Sequence, residues 1–148
     1  MKKIPLLLLV ALFGCQPQTT ENTSPMEDSG HDALTGAWKM TSLVVMHSET
    51  GDTLWAGTRK QYKLYVDGSV MWAYEAEPDS TEWFGYGTYT IDGDTLRETM
   101  LTGSQAFRKE MESMGNRFSH ALGFSDGMYT QAEQADTIIR REVYERVE

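Results

Sequence analysis

The residues of this chain that can do covalent or redox chemistry are few, and their spacing discourages it. There are three histidines, His31, His47 and His120, and one cysteine, Cys15. No two histidines stand two or four residues apart, so a zinc or copper site would need convergence over long range. There is no G-x-S-x-G, and no Ser-His-Asp set or carboxylate pair can be placed. The nine methionines, Met111 and Met114 among them, alternate with apolar residues as gap-filling core does. No metal, cofactor or catalytic step is expected. What remains is a set of side chains suited to holding a molecule: four tryptophans, seven tyrosines and His120.

Strand periodicity is the guide to which of these share a face. On 117–124, Phe118, His120, Leu122 and Phe124 alternate with Arg117, Ser119, Ala121 and Gly123. His120 therefore sits on an apolar face, either as a satisfied core histidine or as the polar mark of a cavity. Val70, Trp72 and Tyr74 fall together on 69–76, and Trp83, Phe84, Tyr86 and Tyr89 are spread over both faces of 81–91. Such aromatics either fill a core or wall a cavity for a flat, apolar ligand that tyrosine hydroxyls orient. On the last strand, Ile139, Val143 and Val147 share one face, while Ile138, Arg140, Glu142, Tyr144 and Arg146 share the other. Either the first set packs inward and the charges meet solvent, or the second lines a polar lumen; counting apolar residues favours the first.

The elements that must position these groups are short. Runs of Val, Ile, Tyr, Trp and Thr are broken by Gly51-Asp52, Asp67-Gly68, Asp92-Gly93 and Asp126-Gly127. Asp-Gly between alternating runs signals a hairpin, because both residues tolerate the positive φ of a tight turn. Strands are predicted near 36–47, 53–56, 59–66, 69–76, 81–91, 94–101, 117–124, 128–134 and 137–147. Between Gly103 and Gly115 the pattern changes: Ser104 stands as an N-cap, Phe107, Met111 and Met114 recur at helical spacing, and Gly115 is a stop. The expected fold is all-β: an antiparallel up-and-down β-barrel of about eight strands with one short helix near 104–114. Closure removes the exposed strand edges, and a barrel of this size holds side chains or one small ligand.

Ahead of the domain stands Met1-Lys2-Lys3, an apolar run from Ile4 to Phe13, then Gly14 and Cys15. About ten apolar residues are too few for a helical span, which needs roughly 20. Leu12-Phe13-Gly14-Cys15 resembles a bacterial lipobox. On that resemblance 1–14 is a lipoprotein signal peptide, Cys15 becomes the lipidated amino terminus, and 15–33 is a tether. Its segment 16–32 carries Pro17 and Pro25 and has no apolar periodicity; as a random coil it spans roughly 20–25 Å. The domain is 34–148. With Cys15 lipidated, no thiol remains for a disulfide or a redox pair. Lys2 and Lys3 leave with the leader, which takes 13 basic side chains to 11 against 22 acidic ones. That balance argues against nucleic acid as a partner. The expected location is the bacterial cell envelope, on the outer membrane or facing the periplasm, with the membrane bound through the lipid on Cys15.

Leu34-Thr35-Gly36-Ala37-Trp38-Lys39 resembles the G-x-W opening of lipocalins and their calycin relatives. Phe84 to Asp94 and Glu142 to Glu148 are similar to stretches of the bacterial lipocalin-like domains found on secreted and lipid-anchored proteins. The resemblance implies a barrel with a ligand-binding mouth. It also implies a base where Trp38, following Gly36, lies beneath an arginine of the last strand: Arg140, Arg141 or Arg146, with Arg140 taken as the structural residue. The last strand is similar, too, to that of intracellular fatty-acid-binding proteins, where an R-x-Y pair grips a carboxylate. Here the triplet is Glu142-Val143-Tyr144, so that clamp does not carry over. The function expected is a lipid-anchored binding protein for a small, partly apolar ligand. Its cavity would be walled by Trp72, Tyr74, Tyr86, Phe118 and Leu122, with His120 and Tyr144 as polar contacts. The rival is a packed barrel that serves as a structural or interaction domain in an envelope complex, marked by an exposed aromatic patch.

Overall fold

The computed structural model describes residues 33–75 and 81–147; the leader, Cys15 and segment 16–32 lie outside them. Among the described residues, nine antiparallel strands and the helix they flank follow in order: β1 (Gly36–His47), β2 (Thr53–Gly57), β3 (Gln61–Val66), β4 (Ser69–Tyr74), β5 (Trp83–Asp92), β6 (Thr95–Gly103), α1 (Gln105–Met114), β7 (Arg117–Ser125), β8 (Met128–Ala135) and β9 (Ile138–Arg146). Each strand from β3 onward pairs with the next, β1 pairs with β3, and β9 returns to β1. Eight strands thus close a barrel. The ninth, β2, is the first half of a broken strand. Leu43 faces Gly57 and Lys39 faces Tyr62 across the same edge of β1, so β2 and β3 form one line with a single extra residue in the break.

The turns form where the residues allow them. Asp67 and Gly68, and Asp126 and Gly127, all have positive φ, the pairing that type I′ hairpins require. Ser104 caps α1 by accepting from the Phe107 amide at 3.3 Å, and the Gly115 amide closes it on Met111 O at 2.9 Å. No helix among the described residues is long and apolar enough to cross a membrane.

The end of the barrel where β1 begins is packed solid. Trp38 meets Tyr129 edge-on at 4.9 Å, and Tyr129 stacks on Tyr144 at 4.7 Å. Tyr65 meets Tyr89 edge-on at 4.9 Å, with Leu34, Val70 and Leu96 buried around them. Outside this floor the guanidinium of Arg146 lies 4.2 Å from the Trp38 ring centre and donates to the carbonyls of Thr35 and Ala33. The Trp38 indole donates to Leu34 O at 2.7 Å. Arg146, not Arg140, is therefore the partner of Trp38: it sits directly opposite in the β1–β9 ladder, whereas Arg140 lies three turns of the pleat away, at the other end. Gly36 has φ +132, and a Cβ there would collide with Nη1 of Arg146.

The inward face of β9 is the opposite of the expected one. Glu142 and Tyr144 are buried and Val147 is exposed. The bulge in β1 between Met40 and Ser42 keeps Leu43 opposite Glu142, and inward polar partners then favour the charged face of β9.

Gly36→Ala is expected to lose about 1–3 kcal/mol through strain and displacement of the guanidinium. Urea unfolding followed by near-ultraviolet circular dichroism checks it, with an unchanged midpoint as the contrary result.

Candidate functional site

Above the aromatic floor, five strands send polar side chains to one level. Gln61 and Lys63 come from β3, Glu98 from β6, His120 from β7, Gln131 from β8 and Glu142 from β9, all buried. Alternation forces this: Gln61, Lys63 and Tyr65 share the inner face of β3, and Leu96, Glu98 and Met100 share that of β6. All but His120 satisfy one another. Lys63 Nζ donates to Glu98 Oε1 and to Gln131 Oε1, both at 2.9 Å, and to Tyr65 OH at 3.2 Å. Tyr65 donates to Glu98 Oε1 at 2.6 Å. On the β9 side, Glu142 accepts from Gln131 at 2.8 Å, from Tyr144 at 2.7 Å and from Arg140 Nε at 2.8 Å. Gln61 donates to Tyr144 OH at 2.9 Å.

This layer floors an open cavity of about 260 Å³, just under the roughly 300–1,000 Å³ of drug-sized sites. One wall is polar: Gln61, Lys63, Glu98, His120, Gln131, Glu133, Arg140 and Glu142. The other is aromatic. Trp72, Tyr74 and Trp83 stack in a ladder with successive ring centres 6.3 and 6.1 Å apart and planes within 13°. Phe107 of α1 meets Trp72 edge-on at 4.8 Å and stacks on Phe118 at 6.3 Å. Gly85 makes the ladder fit, because a Cβ there would meet the Trp72 indole at 2.6 Å. Arg59 lies 5.5 Å over Tyr74 at the rim.

The ionisation states follow from these contacts. Burial alone would raise the Glu98 carboxyl, but Lys63, His120 and the hydrogen bonds from Tyr65 and Lys63 outweigh it and hold it below its ordinary value. Glu142 is likewise lowered: burial opposes, and Lys63, Arg140 and Tyr144 prevail. His120 is lowered, first by burial and then by Lys63, against the pull of Glu98, Glu133 and Glu142. Two carboxylates near the ring argue for a charged imidazole, yet both contacts are 3.8 Å, beyond hydrogen-bond reach, so burial decides and the ring is neutral. Burial raises the Tyr74 hydroxyl, with Arg59 and Arg140 opposing.

Of the residues singled out from the sequence, Trp72, Tyr74, Phe118 and His120 line the cavity, and Arg140 joins them at its wall. Tyr144 lies beneath it, within the polar layer. Leu122 faces inward but packs against the closed-end core. Tyr86 points outward and is 42% exposed, because the inner positions of β5 are Gly85, Gly87 and Tyr89. The sequence pattern alone does not mark Lys63, Glu98 or Gln131 as site residues, and it puts Glu142 on the less favoured face of β9. The nearest signal is Glu98, a lone charge at the core spacing between Leu96 and Met100. Among the described residues no cluster of three or more His, Cys, Asp or Glu is arranged to hold a metal.

No protein-family model matches the chain, and no curated protein matches it. Solved structures do match at the level of fold. One is the crystal structure of a lipocalin-like protein from Bacteroides uniformis ATCC 8492, with a TM-score of 0.55 and 10% identity over 78% of this chain and 99% of that one. Another is an uncharacterized protein from Bacteroides eggerthii DSM 20697, with a TM-score of 0.51 and 11% identity over 76% and 98%. The domain has the lipocalin-like fold, a closed eight-stranded antiparallel barrel with one additional strand.

Lys63→Met should cost about 3–5 kcal/mol, since it strands the buried Glu98 carboxylate. Adding Glu98→Gln should recover most of that loss, a coupling that a double-mutant cycle in urea reads directly; purely additive losses would contradict the pairing. Acid should act in two stages. The unfolded chain protonates its histidine near the ordinary 6.5 while folded His120 lags, so stability falls as pH drops below 6.5. The lowered Glu98 and Glu142 add a second loss that begins near their ordinary 4.5 and continues until they too are protonated. His120→Asn should flatten the first stage and only trim the second, which Lys63 and the hydrogen bonds still support, as measured by the pH dependence of the unfolding free energy.

Proposed function

We propose that this protein is a binding protein of the bacterial cell envelope, lipid-anchored through Cys15, that holds a small molecule with an apolar, flat body and a polar end. The observation that carries the reading is the two-sided cavity, an aromatic ladder facing a polar wall above a sealed floor. Burial of the body against Trp72, Trp83 and Phe107, at roughly 25 cal/mol per Å², supplies most of the affinity. The polar wall orients the other end. Apart from His120 and Glu133, its groups are already hydrogen-bonded to one another, so little reorganisation accompanies binding. Binding and release, with no chemical change in the ligand, is the activity proposed. The lipid anchor rests on the lipobox-like leader alone.

A second reading has its own support. On the outer wall Tyr62, Leu64 and Val66 of β3, Met71 of β4 and Phe84 and Tyr86 of β5 are all exposed. Leu64 faces Met71, and Met71 faces Tyr86, so the patch is continuous across three strands. Contiguous apolar surface of this kind marks interaction sites. On this reading the barrel docks a protein partner in the same membrane, and crosslinking from position 64 in intact membranes should capture one stoichiometric partner. Diffuse crosslinks would remove it.

Native mass spectrometry of the gently extracted full chain with 2-naphthol should show one molecule bound per barrel. Trp72→Ala should weaken it by about tenfold, and Tyr86→Ala should leave it unchanged. A barrel that takes up no small aromatic at all contradicts the first reading.

A further inference from the structure

His120 is buried, with 7% of its surface exposed, yet neither ring nitrogen has a hydrogen-bond partner among the described residues. Nε2 stands 3.8 Å from Glu98 Oε2, and Nδ1 stands 3.8 Å from Glu133 Oε2. A neutral imidazole has one N–H to offer and one lone pair. With carboxylates on both sides, one nitrogen lone pair must point at a carboxylate oxygen across a gap too long for a hydrogen bond. The Glu98 charge is already met by Lys63 and Tyr65, so the gap that a bound cation can close is the one at Glu133; with a cation there the ring proton stands on Nε2, toward Glu98. Nδ1 and Glu133 Oε2 are then two acceptors facing each other with no proton between them. That spacing suits a donor nitrogen seated beside both.

The charges agree. Lys63 is matched by Glu98 and Arg140 by Glu142, while Glu133, half-exposed on β8 and opposite Arg140 in the ladder, makes its one ionic contact within 4 Å among the described residues with the neutral His120. Glu110 of α1 and Arg59 at the rim also line the cavity and offset each other. The polar wall therefore carries one negative charge in excess. Beside His120 is a niche of about 10 Å³ bounded by Gln131, Glu133, Arg140 and Glu142, large enough for one small polar group. It opens beside the larger cavity that the aromatic ladder walls.

Resting on the cavity as a ligand site, we infer that its ligands are amines: a protonated primary amino group donates to His120 Nδ1 and Glu133 Oε2, and an aromatic or apolar body lies along Trp72, Tyr74 and Trp83. The ammonium supplies the missing donors and the missing positive charge together. The ladder then holds the hydrocarbon, with ring faces presented to a cation as well.

Three probes of one shape test this by tryptophan fluorescence titration of the full chain at about pH 8, where an alkyl amine stays protonated: 2-phenylethylamine, 2-phenylethanol and 3-phenylpropanoate. The amine should bind about tenfold tighter than the alcohol. Glu133→Gln should erase that margin, and Glu145→Gln, which removes an acid from the outer wall, should preserve it. Equal binding of amine and alcohol, tightest binding of the carboxylate, or a Glu133→Gln variant that keeps the margin overturns the inference while the cavity remains a ligand site. Failure of all three probes to bind overturns both.

Discussion

The Lys63–Glu98 pair divides this barrel in two. Its partners come from β3 and β6, across the lumen from each other; Tyr65 joins from β3, and Gln131 and Glu142 complete the layer from β8 and β9. A buried ion pair gains little net stability over an apolar pair of the same volume, because desolvating both charges offsets their attraction. What it does impose is geometry. Each ammonium proton has one acceptor in place, and the inward register of β3, β6, β8 and β9 follows from that requirement. A slip of one residue in any of those strands would send a charge, or in β8 the Gln131 amide, to the outside and strand its partner.

Two different environments result. Below the layer, Trp38, Tyr65, Tyr129 and Tyr144 fill the lumen, and Arg146 seals it from outside over Trp38. Above it, the lumen is left open to a guest, because the inner position of β5 there is Gly85 and the Trp72 indole lies flat in the space it leaves. Helix α1 then covers part of the mouth with Phe107 buried and Met114 at the rim. The floor of the cavity is thus made of hydrogen bonds that are already satisfied, and its wall of rings that are not fully covered. A small amphiphilic guest fits both.

Much of the architecture was legible in the sequence. The Asp-Gly turns, the helix between Ser104 and Gly115 and the strand boundaries follow from local preferences that no tertiary contact overrides. The facing of two strands was not legible. In β3 the apolar Tyr62, Leu64 and Val66 point outward and Gln61 and Lys63 point inward, and in β9 Val143 points outward while Glu142 is buried. Counting apolar residues inverts both, because it assumes that charges seek water. Here four charges on β3, β6 and β9 seek one another, and no single strand shows that its partners exist. Trp38 was readable from its G-x-W setting, but the choice among three arginines depended on ladder register, which only the closed sheet reveals.

The four tryptophans report separately on the parts of the account: Trp38 on the closed end, Trp55 on the β1–β2 hairpin, and Trp72 and Trp83 on the ladder. The most direct test is the assigned indole N–H spectrum of the full chain during titration with a small aromatic compound. If the polar layer seals a cavity open at the helix end, the Trp72 and Trp83 signals shift together in a saturable way while Trp38 stays fixed. Shifts at Trp38, or saturation that leaves Trp72 and Trp83 untouched, would contradict the account.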